Sequence, residues 1–257
     1  MTTQMKREVH LTGKDLMEMV QLRPEDIGKY AIVPGPKERL DGFMKCIQNP
    51  IKNFSFMEYT MYTGELAGTK ITSINGGRFS ADTAITTEIL CNAQAQIMIR
   101  MGSCGALNED IKIGDLIVVD SALRGEGVTP YYVDDPSFQP ESDPDLTDAL
   151  YEVAENAGYK IHRGKVWSTD AILRETRKNV NQAIAKGAIA VDMVTSVFLT
   201  ICQQYQIPAT AILAVSDHII TGEMGFMDTN YYVAEHAMIG ITLDLVKKME
   251  GKASARA

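Results

Sequence analysis

Residues 97–105 read Ile97-Met98-Ile99-Arg100-Met101-Gly102-Ser103-Cys104-Gly105. Ile97 to Met101 is the kind of run that fills a strand buried on both faces. Gly102 to Gly105 closes it with a glycine turn. In open α/β sheets, ligands bind beyond the carboxyl ends of the strands, so the turn marks a candidate site. Glycines let backbone N–H groups approach an anion closely. Ser103 adds a hydroxyl donor, and Arg100 offers a planar fork that matches phosphate or carboxylate.

The same pattern recurs on either side. Tyr30 to Val33 is a short apolar run that ends at Pro34-Gly35-Pro36, and Lys37 onward looks helical. That turn supplies Gly35 and Arg39. From Phe54 to Leu66, aromatic and β-branched residues alternate with polar ones. Ala67-Gly68-Thr69 breaks the run and Lys70 to Ile74 resumes it, which predicts a β-hairpin. Asn75-Gly76-Gly77 follows, then a helix-compatible segment from Ser80 to Ala95.

Downstream, Leu116–Val119, Lys165–Ser168, Ile189–Val191 and the almost wholly apolar Ala209–Val215 read as strands. Asp145–Ala157, Thr195–Tyr205 and Tyr231–Met249 read as helices, the last from the spacing of Val233, Ala237, Ile241, Leu245 and Met249. Arg124 to Glu141 is a long loop, and such loops are more often functional than idle. Glu250 to Ala257 reads as a tail. Strands alternating with helices predict a three-layer α/β/α sandwich around a mixed, mostly parallel sheet. No repeat or composition shift divides the chain, so residues 1–257 are expected to form one domain.

Composition narrows the function classes. Hydrophobic residues make up 45% and charged residues 23%, an ordinary globular balance. The formal net charge is -8, against the basic face that nucleic-acid binding requires. No stretch is long and apolar enough to span a bilayer, and no signal peptide is visible. The four cysteines form no C-x-x-C pair, and the expected compartment is cytoplasmic, with the thiols reduced. The four histidines lack metal-ligand spacing, so no metal is expected. Nucleophile-elbow, dinucleotide-fingerprint and Walker motifs are also missing.

Two carboxylates follow apolar strands. Ala211 to Val215 leads into Ser216-Asp217-His218, placing Asp217 where ligands bind. A partly desolvated Asp there acts as a general acid; the competing role is a helix or turn cap. Asp192, in Val191-Asp192-Met193, either hydrogen-bonds a sugar hydroxyl or caps the next helix. Met193 lines an apolar pocket or is plain core. Arg39 and Arg100 likewise have two readings, an anion cradle or surface ion pairs.

Together these residues identify a likeness. From about His10 to Met249 the chain resembles the hexameric type of nucleoside phosphorylase, uridine phosphorylase in particular. Ile32 to Arg39 is similar to that family's first phosphate turn, and Ile99 to Leu107 to its main phosphate motif. His10-Leu11-Thr12 with Lys14-Asp15-Leu16, and Arg124 to Gly127 with Tyr131-Tyr132, are similar to further family segments. Ser216-Asp217-His218 is similar to the purine-specific branch.

The resemblance implies a phosphorylase/hydrolase-like fold and a pentosyltransferase that splits a uridine- or purine-type nucleoside with phosphate, giving free base and pentose 1-phosphate. It implies that Gly35, Arg39, Arg100 and Ser103 hold phosphate, with Arg100 catalytic. Met193, Asp192 and Ile172 would line the sugar and base sites, and Asp217 would protonate the base. His10 would reach a neighbouring subunit's sugar, in a homo-oligomer built from dimers, a hexamer. Phosphate is a co-substrate, and no other cofactor is implied.

Several positions depart from the family pattern. The first turn has Gly35-Pro36-Lys37 where Gly-Asp-Pro is usual. A phosphate-binding arginine donated by the neighbour aligns with Met57, and a ribose-binding glutamate with Val194. Losing one charge-assisted contact costs roughly 1.5–3 kcal/mol. The base-stacking aromatics align with Ile172 and Leu173. The uracil-reading glutamine has no counterpart in Arg174 to Arg177, and Asn230 falls near the place of the arginine that partners the purine-branch Asp. Two rival readings follow: a nucleosidase that uses water, and a catalytically silent ligand-binding member of the fold.

Overall fold

Consecutive side chains in strand β1 (Tyr30–Pro34) go to opposite sides of the sheet. Ala31 and Val33 enter one apolar core; Tyr30 and Ile32 enter another. A strand buried on both faces needs cover on both, and helices supply it. The computed structural model describes residues 7–251. Part of the expected C-terminal tail, residues 252–257, lies outside that range, as do residues 1–6.

The first core packs under helices α1 (Gly13–Met19), α3 (Ser80–Asn92) and α6 (Thr195–Gln204), through Leu90 and Phe198 among others. The second packs under α2 (Lys37–Met44), α4 (Pro144–Asn156) and α7 (Thr229–Met249), through Leu40, Leu146 and Leu245. A further helix, α5 (Arg177–Ala185), lies on a smaller apolar cluster. The chain is a mixed α/β protein with helices on both sides of its sheet.

The remaining strands are β2 (Gln48–Phe56), β3 (Tyr59–Leu66), β4 (Thr69–Ile74), β5 (Ile97–Ala106) and β6 (Leu116–Gly125), then β7 (Ile161–Thr169), β8 (Ala188–Asp192), β9 (Ala209–His218) and β10 (Glu223–Met224). Their order is β10-β9-β6-β7-β8-β5-β1-β4-β3-β2. The sheet is mixed, with parallel pairs β4-β1-β5, β5-β9 and β6-β7-β8 at its centre and antiparallel pairs joining them to each other and to the edges. Because β5 also pairs with β9, strands β5, β8, β7, β6 and β9 close into a ring, where the sequence pattern suggested an open sheet.

The expected hairpin differs in one respect. Phe54–Leu66 is two strands, because the chain reverses at Met57-Glu58, with Met57 at φ 51°. No Gly, Pro, Asn or Asp stands at Met57-Glu58 to mark the turn, which hides it. Helices α1 and α5 are additions to the sequence pattern; both are short, and α1 begins with a capping box between Thr12 and Asp15.

Two registers position the site. β1 and β5 run level, with Val33 beside Arg100 and Pro34 beside Met101, so the Gly35 turn emerges beside Gly102. The turn expected at Gly102–Gly105 is instead a continuation of β5 to Ala106, held there by pairing with β9. Between β5 and β9 the register slips by one residue after Cys104, bringing Gly105 opposite Asp217. Such bulges re-aim side chains next to sites.

Candidate active site

Beyond the carboxyl ends of β1, β5 and β9 lies a cavity of about 610 Å³, within the range of small-molecule sites. Gly35, Arg39, Arg100, Ser103, Ile172, Asp192, Met193 and Asp217 all line it. The structure thus brings together all but one of the residues singled out from the sequence. The exception is His10, which is exposed and is not on the cavity wall.

Arg100 shares the face of β5 that carries Met98 into the first core, and its side chain is only 3% exposed. Its Nε donates to Thr195 Oγ1 at 3.1 Å, Nη1 to the Gly77 carbonyl at 2.7 Å and Nη2 to Asp192 Oδ2 at 3.2 Å. A guanidinium carries five N–H bonds. One N–H on each terminal nitrogen of Arg100 is therefore uncommitted among the described residues. Desolvation lowers the Arg100 pKa; Asp192 opposes the shift, and the nearby positive charge of Arg39 adds to it.

Arg39 lies in the first turn of α2 and is buried to the same degree. Its Nε and Nη2 donate to Glu235 Oε1 at 2.9 and 2.6 Å, and Nη1 to the Met101 carbonyl at 3.0 Å. Tyr231 Oη stands 3.5 Å from Nη2. Neither arginine is a surface ion pair. Each has one carboxylate partner and a position on one cavity wall, which is the arrangement an oxyanion needs.

Glycines make the close packing possible. A Cβ on Gly77 would stand 2.6 Å from Arg100 Nη1, and one on Gly102 would stand 2.7 Å from Nη2 and 2.5 Å from Leu213 Cδ2.

Asp192 takes the capping role with an ion pair added. It accepts from Ser168 Oγ at 2.6 Å, from Thr195 Oγ1 at 2.6 Å and from the backbone N–H groups of Val194 and Thr195 at the start of α6. Its side chain is 0% exposed, which leaves no carboxylate surface for a sugar. This corrects the expectation of a direct sugar contact: the carboxylate orients Arg100 instead. Val194 is buried core, and Met193 is half-buried on the cavity wall.

Asp217 caps no helix. It lies within β9, whose pairing continues through Ser216-Asp217-His218 to the next turn. Ser216 Oγ donates to Asp217 Oδ1 at 2.7 Å. A Cβ on Gly105 would come within 2.9 Å of Asp217 Oδ2, so the missing side chain makes room for the carboxylate. A recess of about 320 Å³ adjoins the cavity and shares Ile172, Glu175 and Asp217 with it. His218, also on the recess wall, accepts the Thr221 N–H at Nδ1, and its buried Nε2 has no partner among the described residues.

The sequence reading missed Glu175, Tyr231 and Glu235. The last two are four residues apart on α7 and therefore share a face, a spacing that could have flagged them. Glu175 had no signal beyond lying in a polar segment. It is half-buried, and burial together with the charge of Asp217 raises its carboxyl pKa to about 7. The cavity thus has a cationic end at Arg39 and Arg100 and an acidic end at Asp217 and Glu175.

Met57, at the tip of the β2–β3 turn, is 75% exposed and is not on the cavity wall. Among the described residues, no cluster of His, Cys, Asp or Glu could hold a metal ion, and no helix is long and apolar enough to cross a membrane.

A family model described as the phosphorylase superfamily matches residues 29–247. A DeoD-type purine nucleoside phosphorylase from Jannaschia sp. is 29% identical over 202 residues, covering 78% of this chain and 86% of that protein. A uridine phosphorylase from Thermococcus kodakarensis is 29% identical over 228 residues, covering 83% and 82%. The crystal structure of uridine phosphorylase from Vibrio fischeri superposes with a TM-score of 0.81 at 23% identity, covering 89% of this chain and 96% of that one. That last likeness is one of fold.

Proposed function

The chain belongs to the phosphorylase superfamily, and on that premise we propose that it splits a purine or uridine nucleoside with phosphate, giving free base and pentose 1-phosphate. One observation carries the reading: Arg39 and Arg100, far apart in sequence, are both buried on the wall of one nucleoside-sized cavity.

In this reading phosphate sits between the two guanidiniums, the Gly35 turn and Ser103. The uncommitted N–H groups of Arg100 point to an anion as their partner. Phosphate attacks the anomeric carbon as the base leaves through an oxocarbenium-like transition state. Holding the anion against that developing cation supplies much of the acceleration. Arg100 is the catalytic cation, fixed by Asp192. Met193 packs against the sugar, Ile172 borders the base, and Asp217 hydrogen-bonds it.

His10 is off the wall of its own cavity, which agrees with a role in a neighbour's site. We therefore assign a homo-oligomer built from dimers, with a hexamer as the expected form. Hydrolysis by water is the second reading. It is favoured only by Met57, which stands where the family donates an arginine to phosphate.

The test is base release from a panel of purine and pyrimidine ribosides and deoxyribosides, with and without phosphate. Release that requires phosphate and yields pentose 1-phosphate is expected. Release indifferent to phosphate supports hydrolysis, and binding without turnover supports a silent ligand-binding protein.

A further inference from the structure

Departure of a nucleobase has a proton requirement. As the glycosidic bond breaks, its electron pair moves onto the base, and a neutral base leaves only if a ring atom gains a proton. The acidic end of the cavity holds two carboxyl groups, Asp217 and Glu175. They differ in their surroundings. Asp217 is held by the Ser216 hydroxyl at 2.7 Å. Glu175, just after the short turn Ile172–Arg174, has no hydrogen-bond or ion-pair partner among the described residues.

Arg39, Arg78 and Arg100 line the same cavity. Arg39 and Arg100 are paired with Glu235 and Asp192, Arg78 lies over the Phe79 ring, and the charge that bears on the Glu175 carboxyl is that of Asp217. His218 is the other titratable group on the recess wall, and its Nδ1 accepts the Thr221 N–H. Like charges facing one partly dry space do not both ionise readily, so one proton stays with the pair. Ser216 already satisfies one oxygen of Asp217, and no donor reaches Glu175, so the proton falls to Glu175.

We propose that Glu175, and not the Asp217 that the family resemblance implies, is the catalytic acid that protonates the leaving base, with Asp217 its neighbour at the acidic end of the cavity. The inference rests on the phosphorolysis reading above. The step balances: phosphate oxygen forms the new bond to the anomeric carbon, the bond from that carbon to the base nitrogen breaks, and the Glu175 proton goes to the base. The resulting carboxylate takes a proton from solvent before the next turnover. With its carboxyl raised to about 7, Glu175 is protonated in a useful fraction near neutrality, which suits a general acid.

The experiment compares wild type with Glu175→Gln, which keeps the shape and loses the proton. Two substrates are used: the best nucleoside of the panel, and 4-nitrophenyl β-ribofuranoside, whose leaving group departs as a stable anion. Both are assayed with phosphate from pH 5.5 to 9. For Glu175→Gln, kcat on the nucleoside should fall about a hundredfold or more, and kcat on the aryl riboside less than about threefold. Wild-type kcat on the nucleoside should decline as pH rises through about 7, and the variant should lose that decline.

Equal losses on both substrates, or an undiminished nucleoside rate in a variant with native circular dichroism, overturn the proposal and leave phosphorolysis standing. If wild type does not cleave the aryl riboside, the pH profiles decide alone: a decline retained in Glu175→Gln overturns it. If wild type releases base from no nucleoside with phosphate present, the phosphorolysis reading fails and takes this proposal with it.

Discussion

Arg39 Nη1 donates to the main-chain carbonyl of Met101 at 3.0 Å. The bond ties the start of α2 to the middle of β5, one residue beyond Arg100. It joins the Gly35 turn and its arginine to the strand that carries Arg100. The level register of β1 and β5 makes this possible.

Arg39→Ala removes a charged donor from the cavity and leaves Glu235 partly solvated, with its side chain 24% exposed. Losing a hydrogen bond to a charged group costs about 1.5–3 kcal/mol. The KM for phosphate should therefore rise about ten- to a hundredfold at roughly 1.4 kcal/mol per tenfold. Nucleoside KM should move far less. Steady-state kinetics with phosphate varied at saturating nucleoside measures both.

Asp192→Asn tests whether Arg100 depends on its buried partner. Removing one member of a buried pair is destabilising by about 3–5 kcal/mol, because the remaining charge is left uncompensated. The Asp192 carboxylate also accepts backbone N–H groups at the start of α6, so the loss extends to the helix start. Urea denaturation should show a lower midpoint. A midpoint equal to wild type would mean that solvent or relaxation satisfies Arg100 without Asp192.

Gly102→Ala adds one methyl group where Arg100 Nη2 and Leu213 Cδ2 already stand within 2.7 Å. The backbone has little freedom, since Gly102 is paired with Leu213 of β9 and follows the last pair of β5 with β1. Overpacking of this kind costs about 1–3 kcal/mol. Thermal denaturation should show the loss, and phosphate should protect the variant less than wild type. Gly240→Ala serves as a control for steric crowding, since nothing stands within 4 Å of its Cβ position and its backbone is helical.

The fold was legible in the sequence because its strands are buried on both faces. Tyr30–Val33 is wholly apolar, and Ile97–Met101 and Ala209–Val215 are apolar but for Arg100 and Thr210. The closed ring was not legible, because the pairing of β5 with β9 joins positions more than a hundred residues apart. Arg100 stood out as a cation within an apolar run, and Arg39 by its place just after the first glycine turn. Asp192 was half legible: its place at a strand end was clear, but its four partners come from Ser168, Val194, Thr195 and Arg100, which only the folded chain assembles. Glu175 was invisible because its character comes from burial and from Asp217, forty-two positions away.

That burial has a consequence for stability. The Glu175 carboxyl is raised from 4.5 to about 7 by desolvation first and by Asp217 second. The folded state therefore binds a proton that the unfolded chain has released across that window, and the stability it contributes is lost as pH rises from about 4.5 through about 7. Glu175→Gln has no such dependence. The difference in urea midpoint, variant minus wild type, should grow across that range and level off above it. A flat difference would mean that the carboxyl titrates normally.

The central claim is that Arg39 and Arg100 hold a single phosphate. A crystal structure of the protein soaked with phosphate tests it most directly. One ion is expected in the cavity, within hydrogen-bond distance of both guanidiniums and beside the Gly35 turn and Ser103. Saturating phosphate that leaves this place empty, or that contacts one arginine while the other stays wholly committed to its carboxylate, would contradict it.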